Sequence, residues 1–152
     1  MITSTGGVGK LGKFSTNKIF TLGYTSTTPD ELLQMAVERD ALVLDIRLKA
    51  WSMAPRWRVE ALQELLEKRY IGMSFLGNLN YKSGGLTVLN NPERGLELVT
   101  RYLVTGGDPK SVILLCACWS HVTCHRLVAA KLIAGETGCE IEHLYGSRKE
   151  GK

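Results

Sequence analysis

The stretch Ala41-Leu-Val-Leu-Asp-Ile-Arg47 is apolar without a break until Asp45. A run so short and so unrelieved fits a central strand buried on both faces, the environment that a parallel sheet provides. A second strand-like run, Lys18-Ile-Phe-Thr-Leu-Gly-Tyr24, lies ahead of it. Between the two stands a helix start. Thr28 is a capping residue, Pro29 suits the first helical position and Glu31 completes a capping box, while Leu32, Leu33, Ala36 and Val37 recur at helical spacing until near Asp40. Strand, helix and strand make a βαβ unit.

The same alternation runs through the rest of the chain. Val59, Leu62, Leu65 and Leu66 share one face of a second helix, Ile71 to Leu76 reads as a strand, and Gly77 to Asn90 reads as loop. Asn91 and Pro92 open a third helix with Leu96, Val99 and Leu103 inward, stopped by Gly106-Gly107. Val112 to Leu115 is a further strand, Leu127 to Ala134 a helix ended by Gly135, and Glu140 to Tyr145 a last strand. The expectation is one three-layer α/β/α domain with a mostly parallel sheet over residues 18–146. A flexible tail is expected over 1–17 and a charged tail over 147–152. Within the first tail, Gly6-Gly-Val-Gly-Lys10 is like a phosphate-binding loop only in part: Ser4 and Leu11 stand where that loop needs Gly and Ser or Thr, and no strand precedes it.

With 152 residues and 44% hydrophobic composition the chain can build one ordinary core. No stretch approaches the roughly 20 apolar residues of a membrane span, so a soluble cytoplasmic protein is expected, without a membrane partner. A formal charge of +4 favours anionic partners and is modest for a nucleic-acid binder.

Chemistry-bearing residues crowd into Leu114-Leu-Cys-Ala-Cys-Trp-Ser-His-Val-Thr-Cys-His-Arg126, which holds three of the four cysteines and two of the three histidines. It lies between an apolar strand and a helix, where open α/β proteins place ligands. Cys139 and His143 read as structural.

Leu22-Gly-Tyr-Thr, Thr28-Pro-Asp-Glu-Leu-Leu, Leu44-Asp-Ile-Arg47, Leu114-Leu-Cys-Ala and Cys124-His-Arg126 together resemble an uncharacterised family, domain of unknown function 488, over about residues 18–145. The resemblance implies an α/β three-layer fold and no established activity. Ser120-His-Val-Thr departs from the family's Asp-Pro-Glu-like opening, and Cys118 stands where an acid is common, so roles for Cys118 and His121 rest on this sequence alone.

In a parallel sheet Thr25 and Ser26, Asp45 to Arg47, and Cys116 to Arg126 emerge at one edge. With Ser120 as a cap, His121, Cys124 and His125 share one helical face. The leading reading is a crevice for a small anionic or phosphate-bearing ligand. Thr25, Ser26, Arg47, Cys116, Ser120 and Arg126 bind it there, and a helix start favours the anion. If the protein is an enzyme, Cys124 is the nucleophile, His125 the acid or base, and Asp45 orients the substrate. The spacing from Cys118 to Arg126 does not fit a phosphatase loop of Cys, five residues and Arg. A second reading is a zinc or iron site from Cys116, Cys118, His121, Cys124 and His125, although their spacing matches no standard finger. A third is nucleic-acid binding through the acid-free loop from Arg47 to Arg58, with Lys49 and Arg56 inside it, where Trp51 or Trp57 stacks on bases. Against all three stands the structural alternative: Asp45 and Arg47 as a mutual pair, Cys116 and Cys118 as core residues.

Overall fold

The computed structural model describes residues 16–82, 86–117 and 125–147. Among them, strands β1 (Ile19–Gly23), β2 (Ala41–Asp45), β3 (Tyr70–Gly72), β4 (Ser111–Cys116) and β5 (Ile141–Leu144) form one sheet. Its order is β3-β2-β4-β1-β5, and every pairing is parallel. The Ala41 run does lie inside the sheet, between β3 and β4. The βαβ unit read from its local pattern is split, because β4 is inserted between β1 and β2.

Among the described residues four α-helices cover both faces: α1 (Pro29–Arg39), α2 (Val59–Leu66), α3 (Pro92–Thr100) and α4 (His125–Thr137). Alternation along the strands decides which side chain meets which layer. Phe20, Leu22, Val43, Ile113 and Leu115 pack with Leu32 and Ala36 of α1 and with Leu62 and Leu66 of α2. Ile19, Leu44, Val112, Leu114 and Cys116 pack with Val99 of α3 and with Ala129, Ala130 and Ile133 of α4. Leu44, Ile113, Leu114 and Leu115 are all fully buried, so truncating one to Ala would cost about 2–5 kcal/mol. Three-layer α/β/α architecture follows. No helix among the described residues is long and apolar enough to cross a membrane.

The helix starts obey their local chemistry. Thr28 accepts from the Glu31 N–H at 3.2 Å and its own N–H donates to Glu31 Oε1 at 3.3 Å, closing the capping box of α1. Asn91 Oδ1 accepts from the Arg94 N–H and caps α3. Beyond Thr100 the helix widens into a π-helical turn over Arg101–Thr105, which carries Leu103 into the core.

Two boundaries differ from expectation. The strand expected over Ile71 to Leu76 is only Tyr70–Gly72, followed by a 3₁₀ turn over Ser74–Leu76. Its one neighbour, β2, runs out: the Met73 N–H donates to the Asp45 carbonyl, and Ile46 then turns to bond Leu115. Helix α4 passes Gly135 and ends at Thr137. Gly138, at φ 77°, supplies the left-handed residue that stops it, with its N–H on the Ala134 carbonyl.

Candidate functional site

The carboxyl ends of β1, β2 and β4 lie side by side, and the turn leaving β2 is tied to β4 and to the start of α4. The Ile46 N–H donates to the Leu115 carbonyl at 3.0 Å, and His125 Nε2, on the first residue of α4, lies 3.1 Å from the Ile46 carbonyl. His125 and the Asp45 to Arg47 turn therefore do meet at one rim. Ser120, Cys118, His121 and Cys124 lie outside the described residues.

On the α1/α2 side of that rim sits a buried ionic network. Asp45 ends β2 pointing to this side, as Ala41 and Val43 do, and Arg47 folds back over it. Arg47 Nε donates to Asp45 Oδ1 at 2.8 Å and Nη2 to Oδ2 at 2.6 Å, a two-pronged contact. The Tyr70 hydroxyl donates to the same Oδ2 at 2.6 Å. Asp45 is 1% exposed and Arg47 6%. Burial opposes the Arg47 charge, but the hydrogen bond and charge of Asp45 outweigh it and hold the guanidinium pKa above its ordinary value. Burial, then the Asp45 charge, raises the Tyr70 phenol above its usual range. Among the described residues the buried Arg47 Nη1 finds no hydrogen-bond partner.

Aromatic rings back this network. The Tyr24 ring lies under the Arg47 guanidinium, 5.5 Å to the ring centre, and stacks on Trp57 with centres 4.8 Å apart. The Tyr24 hydroxyl donates to Ser52 Oγ at 2.9 Å. Trp57 is thus a buried packing residue with no ring face for a base, whereas Trp51 is 57% exposed. Of the basic loop residues, Arg56 pairs with Asp30.

On the α3/α4 side Arg126 is fully buried and donates through Nη1 to Cys116 Sγ at 3.1 Å. Arg126 and Arg47 are therefore brought to one edge but to opposite faces of the sheet. The Asp45 oxygens serve Arg47 and Tyr70. Thr25 is exposed at the end of β1. Ser26 is buried in a structural role, donating to the Gly23 carbonyl and accepting from the Gly146 N–H. Cys139 is buried, and His143 Nδ1 meets Thr21 Oγ1 across β1 and β5. Among the described residues no group of three or more His, Cys, Asp or Glu side chains is placed to hold a metal ion.

Sequence reasoning missed Tyr70 and Ser52. Tyr70 had a signal in principle: the parallel pairing that sets Val43 opposite Tyr70 brings its hydroxyl to Asp45. Comparisons with protein-family models, curated proteins and solved structures gave no significant match.

Proposed function

We propose that this chain, a relative of the domain of unknown function 488 proteins it resembles, binds a small anionic molecule at the carboxyl rim of its sheet. The observation that carries the reading is the unused Nη1 of Arg47. A buried donor without an acceptor costs about 1–3 kcal/mol, and such groups survive where a ligand, ion or water completes them. Arg47 sits at the carboxyl end of a central strand, beside the inserted β4, where open α/β sheets bind ligands. Asp45 and Tyr70 act as positioning residues. Asp45 takes the Nε and Nη2 edge of the guanidinium and Tyr70 holds the Asp45 carboxylate, which leaves Nη1 as the donor for a phosphate or carboxylate oxygen.

His125 supplies a proton donor or acceptor at the same rim, held through the Ile46 carbonyl. In the enzymatic form of this reading Cys124, its neighbour in sequence, is the thiol. The test titrates the full chain with inorganic phosphate and follows His125 and the Arg47 side chain by NMR. Saturable shifts are expected, weakened at least roughly tenfold in Arg47→Lys, as loss of one charge-assisted hydrogen bond implies. Lys keeps the charge opposite Asp45, so the variant should still fold. Absence of saturable shifts, or phosphate affinity unchanged in Arg47→Lys, overturns the reading.

A further inference from the structure

Beside the Arg47 network stands an exposed indole on an immobilised support. Trp51 is 57% exposed, yet its loop is not slack. Ser52 is buried; its Oγ accepts from the Tyr24 hydroxyl at 2.9 Å and from the Ala54 N–H at 3.1 Å. Its carbonyl accepts from Arg58 Nε at 2.8 Å, and the Arg58 guanidinium then lies 4.8 Å from the Trp51 ring centre. A large apolar ring kept in water on a fixed mount, with a cation against it, is the arrangement with which proteins stack nucleobases.

Tyr24 links the loop that carries this ring to Arg47. Its ring lies against Arg47 and its hydroxyl reaches Ser52, the residue after Trp51. One tyrosine side chain thus spans from the phosphate position to the neighbour of the stacking ring. The base and the 5′-phosphate of a nucleotide are separated by a comparable length. Lys49, exposed on the same loop, and Arg58, against the Trp51 ring, add positive charge to the loop, and residues 46 to 59 contain no acid.

We infer that the anionic ligand of this rim is a nucleoside monophosphate or a nucleotide-bearing molecule, its phosphate on Arg47 and its base on Trp51. The inference rests on the rim reading proposed above and adds the substrate class. It is tested by measuring the affinity of the full chain for adenosine 5′-monophosphate, ribose 5-phosphate and inorganic phosphate, by competition and by tryptophan fluorescence. Adenosine 5′-monophosphate should bind roughly tenfold or more tighter than either of the others, the usual worth of one base stack. Trp51→Ala, a change at a solvent-exposed position, should remove that advantage and leave phosphate affinity unchanged. If the three probes bind equally, or the advantage survives in Trp51→Ala, the nucleotide assignment falls while the anion site stands. If no probe binds at all, the rim reading fails first and this inference with it.

Discussion

The Ile46 carbonyl oxygen lies 3.1 Å from Nε2 of His125 and joins the turn after β2 to the first residue of α4. A carbonyl only accepts, so Nε2 carries the hydrogen and, in the neutral ring, Nδ1 keeps the lone pair. Two-bond ¹H–¹⁵N spectra at alkaline pH should therefore show His125 as the Nε2–H tautomer. His125→Ala should lower stability by about 1 kcal/mol, the usual worth of one such bond. The opposite tautomer would separate the two turns.

Asp45 and Arg47 form a buried pair, and breaking it from one side strands a charge. Asp45→Ala should destabilise the fold by about 3–5 kcal/mol in urea melts. The double change Asp45→Leu with Arg47→Met should recover most of that loss, since an apolar pair of similar size carries no desolvation penalty.

Tyr70 is the group through which alkaline pH acts on this network. Its folded pKa is raised, by burial and then by the Asp45 carboxylate, so the stabilisation is complete below about 10, the free phenol value, and fades as pH climbs toward the folded value. Absorbance titration of the native protein against Tyr70→Phe should show Tyr70 still protonated at pH 10. Tyr70→Phe should cost about 1.5–3 kcal/mol at neutral pH, as for a hydrogen bond to a charged acceptor.

Glu31 governs the acid side. The Ser147 side chain first, then the Thr27 hydroxyl and the Ser147 N–H, bond its carboxylate and lower the pKa from 4.5 to about 2. The stabilisation is present above 4.5 and is lost as pH falls through about 2. These bonds, with that of the Gly146 N–H to Ser26 Oγ, strap Gly146 and Ser147 over the start of α1, where a Cβ on Gly146 would lie 2.3 Å from that of Thr27. Glu31→Gln should flatten the dependence of Tm on pH across that interval and speed amide exchange at Ser147.

Two of the four cysteines should be inert to alkylation. Cys116 and Cys139 are 0% and 5% exposed, so iodoacetamide should reach them only after unfolding. Mass spectrometry of briefly treated native protein checks this, and early label on Cys116 would contradict its burial against Arg126.

What could be read from the sequence was what short-range chemistry decides. Thr28, Pro29 and Glu31 build the start of α1 from neighbours three residues apart, and the Ala41 run declares its own burial. Asp45 and Arg47 were visible as the polar end of that run, and their pairing two residues apart is local. The Tyr70 contact to Asp45 crosses 25 positions and depends on which strand lies beside β2, a matter no local pattern settles. For the same reason the insertion of β4 was not foreseen, since the preference for a strand is blind to its neighbours. The length of β3 was misjudged because its end is dictated by where β2 stops.

The insertion of β4 also orders events in time. Strands β1 and β2 have no ladder to each other; each waits for Ser111–Cys116 to be synthesised and to slide between them. Before that, a nascent chain of about a hundred residues can pair only β2 with the short β3, leaving Phe20 and Leu22 without their β4 partners. Loop closure over such separations is slow, so refolding should be rate-limited by the arrival of this fourth strand. Truncation before Ser111 should yield a chain that aggregates instead of a smaller stable core.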